Sequence, residues 1–118
     1  MPEYDAVKDE PLHIYDSGAN RSDRTGKGRF DLVSPHALLR LAKHYENGAA
    51  IHGNRNWEQG FPISRCYDSA MQHLTQVMIG DTSEDHWAAV AWQCFAAMHF
   101  QEMIALGRLP KELDDIPT

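Results

Sequence analysis

The chain has 118 residues, 17 of them acidic and 11 basic, for a formal net charge of -6. That length suits one domain with a modest core, and the acidic balance argues against a duplex nucleic-acid surface, which needs a basic face. Seven histidines are many for a chain this short and raise the weight of metal or acid–base chemistry.

The N-terminus, M-P-E-Y-D-A-V-K-D-E, is acidic and lacks an apolar stretch, so it does not read as a signal peptide. No run reaches the roughly 18 apolar residues of a membrane span. A soluble cytoplasmic protein with no membrane contact is expected. Cys66 and Cys94 fall at apolar positions within helical patterns and read as buried free thiols in a reducing cytosol, with a disulfide as the open alternative.

Residues 1 to about 33 scatter Pro and Gly among Asp, Asn, Ser and Arg without an apolar period. We expect residues 1–16 to form a flexible N-terminal segment and 17–118 a single helical domain. Within the irregular arm, S-G-A-N-R-S-D-R-T-G-K-G-R from Ser17 combines Arg21, Arg24, Lys27 and Arg29 with glycines. Such a segment either folds over an anionic ligand, its N–H groups and cations facing phosphates, or is a solvated polar arm. The spacing is not that of a P-loop, and no strand signal precedes it.

Three helices follow. The first has Ser34 as N-cap and Pro35 at its first position, an apolar stripe of Leu38, Leu41, Ala42 and Tyr45, and Gly48 as its stop. The second runs from about Pro62–Ser64 to Gly80, with Tyr67, Ala70, Met71, Leu74, Val77 and Met78 as an i, i+3/4, i+7 stripe. The third is capped by Thr82 or Ser83, carries Glu84 and Asp85 at its positive end, and runs from about Glu84 to Leu106 before Gly107. The tail L-P-K-E-L-D-D-I-P-T has room for one short turn. With no competing strand signal, the fold class is all-α, a small bundle of three main helices with an irregular N-terminal arm. The third helix is apolar or small on most faces, which three helices cannot bury alone, so a homodimer or homotetramer is expected to complete the bundle.

The connector G-A-A-I-H-G-N-R-N-W-E-Q-G from Gly48 is richer than a turn requires. Arg55, Asn56, Trp57 and Glu58 together suit phosphate, base and metal contacts, while the plainer reading has Trp57 packing onto the core. Glu46, in the last turn of the first helix, opposes the helix dipole, which favours a specific role. On the second helix Asp68 and Gln72 lie four apart, and Ser69, His73 and Gln76 share a neighbouring face. His73 reads as a hydrogen-bonded core histidine or as a ligand-facing one. Glu84, Asp85 and His86 open the third helix; capping accounts for the two acids as readily as metal binding does.

The blocks G-K-G-R-F-D-L-V-S-P from Gly26, H-Y-E-N-G-A from His44, H-G-N-R-N-W-E-Q-G from His52, D-S-A-M-Q-H-L from Asp68 and E-D-H-W-A-A-V-A-W-Q from Glu84 resemble the phage and bacterial dATP/dGTP diphosphohydrolases. The resemblance covers about residues 17 to 117, with N-R-N-W-E and E-D-H its most specific parts. It implies kinship with the all-α, MazG-like nucleotide pyrophosphohydrolases, which release pyrophosphate from a nucleoside triphosphate at a Mg2+ or Mn2+ site built from helix carboxylates. A phage-encoded member works in the host cytoplasm.

The MazG pattern of E-x-x-E followed by E-x-x-D is absent from this chain. In the matching blocks, Glu46, Glu58, Asp68 and Asp85 stand as the implied metal ligands, and Glu46, Glu58 and His86 as the catalytic set. Lys27, Arg29, Arg55, Asn56, Trp57, Arg65 and His73 stand as substrate contacts. Three positions depart from the family pattern: Ile51 replaces a Lys, Gln72 an Arg and Gln93 an Asn. The two lost cations remove phosphate contacts worth on the order of 1.5–3 kcal/mol each. The expected activity is metal-dependent hydrolysis of purine (deoxy)nucleoside triphosphates such as dATP and dGTP. A non-catalytic oligomer that binds or sequesters a nucleotide is the alternative those departures motivate.

Overall fold

Ser34 opens the first long helix, its Oγ accepting the Ala37 N–H at 3.2 Å, with Pro35 following as the first helical residue. The computed structural model describes residues 11–117; the expectation of a flexible segment over residues 1–16 therefore lies mostly outside the described residues. By contact density the chain divides into two units, Met1–Val33 and Ser34–Thr118.

The first unit contains a small hairpin that the sequence reading missed. Strand β1 (Leu12–Ile14) pairs antiparallel with β2 (Asn20–Ser22), Leu12 opposite Ser22 and Ile14 opposite Asn20. Three-residue strands, all exposed, carry no alternation to detect. The turn makes the hairpin: Gly18, at φ +91, donates its N–H to the Tyr15 carbonyl, and Tyr15 donates to Ala19. A 3-10 turn over Phe30–Leu32 closes the unit.

The second unit is the helical bundle. Helix α1 spans Pro35–His52, α2 spans Ile63–Met78 and α3 spans His86–Ala105; 3-10 turns at Asn56–Gln59 and Lys111–Leu113 follow α1 and α3. The all-α bundle read from the sequence is the observed fold, but several details differ. Helix α1 passes through Gly48 and stops at Gly53, φ +95. Ala49 and Ala50 propagate the helix past a glycine whose cost is only about 1 kcal/mol. Glu46 is therefore interior to α1, and the dipole argument for it lapses. Helix α3 is capped by Asp85, whose Oδ1 accepts the Ala88 N–H at 3.1 Å, rather than by Thr82 or Ser83.

Helix α2 lies along α3, and α1 packs less extensively on α3. The core is Ile63 and Cys66 from α2 with Ala96 and Phe100 from α3, flanked by Trp57, Phe61, Trp92, Ile104 and Leu109. Of the expected α2 stripe, Ala70 and Val77 are half-buried, whereas Tyr67, Met71, Leu74 and Met78 are exposed. The apolar period marks a face, and the small residues at Cys66 and Ala96 let α2 and α3 approach on another. Cys66 is buried and Cys94 exposed, and both are free thiols, so only the first matches the buried placement expected for them. Burial pushes the Cys66 thiol up to about 11.

The end of α2 is built as a Schellman motif. Gly80, φ +80, donates to the Val77 carbonyl, and Asp81 donates to the Gln76 carbonyl at 3.0 Å. At the other end, Pro62 offers no side-chain cap; Asp115 of the tail accepts the Ser64 N–H at 2.8 Å and the Ser64 hydroxyl. Among the described residues no helix is long and apolar enough to cross a membrane.

Candidate functional site

The exit of α1, the turn after it and one side of α3 enclose a cavity of about 630 Å³. Its apolar wall is Tyr45, Trp57, Phe61 and Trp92; its polar rim is His52, Asn54, Arg55 and Asn56; and two carboxylates, Glu46 and Glu58, line it as well. Apolar walls with a few converging polar groups, at this volume, are the usual make-up of a small-molecule site. Gly48 and Ala49 also border it, so the glycine inside α1 leaves room at the wall.

The aromatic wall is held as a cluster. Trp57 meets His99 edge-on at 4.7 Å between centroids, Tyr45 at 5.9 Å and Trp92 at 6.2 Å, while Phe61 stacks on Trp92 at 6.3 Å. Trp57 thus packs against the core, as the plainer reading has it, and also borders the cavity. Arg55 is the one described non-glycine residue with positive φ, at φ 58 and ψ 19, which is left-handed helical backbone. Such conformations cost a non-glycine residue free energy and concentrate at functional sites. This backbone sends the guanidinium toward Glu58, with Nη1 donating to Oε1, and Asn56 accepts from Gln59 at 3.2 Å.

A family model described as dATP/dGTP diphosphohydrolase, N-terminal, matches residues 17–106, a span that contains all three helices and every residue of this cavity. The chain belongs to this family. No curated protein and no solved structure matches it. The name of the family is that of a hydrolase.

Within this dATP/dGTP diphosphohydrolase domain, the residues expected at the site are distributed unevenly. Glu46, Glu58, Arg55, Asn56 and Trp57 come together in the cavity. Asp85 does not line it: Arg40 grips the Asp85 carboxylate with both arms, Nε to Oδ2 at 2.7 Å and Nη2 to Oδ1 at 2.6 Å. This pairing, helped by the Ala88 N–H, holds Asp85 down to about 2. Asp68 also lies elsewhere, at 3.4 Å from Arg65 on the exposed side of α2, a contact of little energetic weight. No three of Glu46, Glu58, Asp68 and Asp85 converge on one point within the described chain.

His73 and His86 lie together at the junction of α2 and α3 and do not line the cavity. A smaller cavity of about 240 Å³ next to that junction is bordered by Arg40, Lys43, His44, Asn47, Glu84 and Asp85. Burial holds the His44 imidazole below its ordinary value, against the pull of Glu84. Lys27 and Arg29 belong to the first unit, where Arg29 is paired with Asp31 at 2.7 and 2.8 Å and Lys27 borders a cavity of about 520 Å³ with Tyr15, Arg21 and Arg24. Of the departures from the family pattern, Ile51 and Gln72 are exposed and Gln93 is half-buried.

The sequence reading missed Tyr45, Phe61 and Trp92 as cavity residues, and Asp81 and Arg40 altogether. Phe61 was detectable as the aromatic directly after the W-E-Q-G block. Trp92 was not, since it sits among so many apolar neighbours on α3 that no pattern marks it.

Proposed function

We propose that this domain hydrolyses purine (deoxy)nucleoside triphosphates such as dATP and dGTP to the monophosphate and pyrophosphate, in the cavity beside Trp57. The observation that carries this reading is the joining, in one cavity, of an aromatic wall, a strained Arg55 and two carboxylates, inside the segment that matches the family. The base packs against the aromatic wall, where stacking contributes about 1–3 kcal/mol. Asn54 and Asn56 supply directional donors and acceptors to the base or sugar. Arg55 exchanges Glu58 for phosphate oxygens, charge-assisted contacts that favour the more highly charged transition state. The freed Glu58 or the neighbouring Glu46 accepts the proton of the attacking water. The water oxygen bonds to phosphorus, the anhydride P–O bond breaks, and pyrophosphate leaves with the bonding pair.

The donor chemistry of Glu46, Glu58 and the Asn54 and Asn56 side-chain carbonyls suits Mg2+ or Mn2+, which prefer hard oxygen ligands. Such an ion supplies neutralisation of phosphate charge and a more acidic water. In this reading Asp68 and Asp85 stay outside the metal shell of their own chain. The unit acts as a homodimer or homotetramer, a reading supported by the apolar side chains left uncovered on α2 and α3.

The test is incubation of purified protein with each dNTP and NTP plus Mg2+ or Mn2+, resolved by ion-exchange chromatography. A monophosphate and pyrophosphate, abolished by EDTA and by Glu46→Gln or Glu58→Gln, is the expected result. The second reading, a nucleotide-binding oligomer without turnover, is favoured by the Arg55–Glu58 pair and by the positions of Asp68 and Asp85. It predicts tight binding that persists in EDTA and a ligand that returns unchanged.

A further inference from the structure

We propose that His73, His86 and Glu84 bind one divalent transition-metal ion of the zinc class at the α2–α3 junction, separate from the nucleotide cavity. His73 Nδ1 lies 2.9 Å from His86 Nδ1 and 3.2 Å from Glu84 Oε1, and His86 Nδ1 lies 3.5 Å from the same oxygen. Ligand atoms about 2.0–2.1 Å from a tetrahedral metal stand roughly 3.3–3.4 Å from one another. The three edges bracket that value. Among the described residues this is the only group of three or more such side chains that converges.

The contact behind His86 favours a cation. Asp81 Oδ2 accepts from His86 Nε2 at 2.6 Å. The same carboxylate oxygen accepts the Ser83 hydroxyl at 2.8 Å, which fixes it behind the imidazole. With Nε2 turned to Asp81, the Nδ1 side of the His86 ring faces His73 and Glu84. A carboxylate behind an imidazole, fixing its tautomer and its orientation, is the usual support of a metal-bound histidine. The local fold explains the placement: the Schellman turn at Gly80 sets Asp81 just past α2, and the short link to α3 returns His86 over it. His86 is almost fully buried, whereas Glu84 is half-exposed and also borders the smaller cavity, which gives an ion a route in.

Two imidazoles and one carboxylate suit Zn2+, Co2+, Ni2+ or Fe2+ rather than Mg2+, which prefers oxygen ligands. The proposal does not rest on the nucleotide reading, and its test needs no turnover. The full chain, stripped with chelator, is titrated with Co2+ while its visible d–d absorption and its Tm are followed. One Co2+ per chain is expected, displaced by Zn2+ and not by excess Mg2+, with Tm raised on loading. His73→Ala and Glu84→Gln each weaken binding by at least tenfold, Asp81→Asn by about 10- to 100-fold, and His36→Ala on the exposed start of α1 leaves it intact. Glu84→Gln alters an exposed side chain, so it stays informative even where His73→Ala disturbs folding, which circular dichroism reports. Absence of a saturable Co2+ band, or a band unchanged in Glu84→Gln, overturns the site and leaves the nucleotide proposal standing.

Discussion

Arg55 offers a test in which stability and function move in different directions. Its left-handed backbone, φ 58, costs a residue with a Cβ roughly 1–2 kcal/mol. Replacement by glycine removes that strain but adds about 0.5–1 kcal/mol of unfolded-chain entropy. Replacement by alanine keeps the strain. Both variants lose the ion pair with Glu58, and because the Arg55 side chain is 79% exposed that loss is only about 0.2–1 kcal/mol. Arg55→Gly should therefore be more stable than Arg55→Ala by about 0.5–1 kcal/mol. At an m-value of about 1.5 kcal/mol/M this is roughly 0.5 M in the urea midpoint. Catalysis should not follow that order. Both variants lack the guanidinium, and a charge-assisted phosphate contact of about 1.5–3 kcal/mol corresponds to roughly a 10- to 150-fold drop in kcat/KM for each. Equal urea midpoints would refute the strain argument. A kcat/KM within twofold of the parent in both variants would refute the phosphate role.

Other expectations follow from the same geometry. Gly60→Ala places a Cβ 2.8 Å from Leu113 Cδ1 and 3.2 Å from Leu109 Cδ2 at φ +91; the strain is about 1–3 kcal/mol, with overpacking adding a similar amount, so the urea midpoint should fall sharply, and a change under 0.5 kcal/mol contradicts the packing of the tail on this turn. Phe100, fully buried, should lose about 3–5 kcal/mol on truncation to Ala, read by the same unfolding curves. The Asp85 carboxyl is lowered from 3.8 to about 2 by Arg40, so its stabilising contribution is complete above pH 4 and is lost as pH falls toward 2. Comparing the parent with Asp85→Asn, which keeps the helix cap and removes the charge, should show a stability gap at pH 6 that closes toward pH 2; a gap that widens on acidification has the wrong sign.

What could be read from the sequence was what local chemistry specifies. Ser34 and Pro35 fix the start of α1 because a cap needs only its own next three residues. Gly48 misled because a stop signal and a tolerated helix glycine look alike until the following Ala-Ala is weighed. The α2 stripe is legible, but amphipathicity does not say which neighbour covers it; Cys66 and His73, which lie outside that stripe, sit on the side toward α3. The site divides in the same way. Arg55, Asn56, Trp57 and Glu58 are contiguous and were found together, whereas Trp92 reaches the cavity only through the packing of α3 against α1. The pairing of Asp81 with His86 needs a specific turn at Gly80, and nothing in G-D-T-S-E-D identifies that partner beforehand.

The uncovered faces of α2 and α3 carry the remaining prediction. On α2, Tyr67, Met71, Leu74 and Met78 recur at i, i+4, i+7 and i+11, the spacing of a single helix face, and Met78 is 84% exposed. On α3, Trp87, Phe95 and Met98 are also open. An isolated domain of this size rarely leaves so many large apolar groups in water. In the homo-oligomer proposed above, a second copy would cover them at low cost, since a two-fold interface presents each side chain twice. Light scattering on the purified chain should give a dimer or tetramer mass at micromolar concentration. Covering one Met contributes about 1.5–3 kcal/mol, so a charge there should raise the dissociation constant by tenfold or more. Met71→Glu with Met78→Glu should then yield a monomer with unchanged helical circular dichroism, because both positions are already solvent-facing within the chain. A parent chain that runs as a monomer at every concentration would leave those faces without their expected partner.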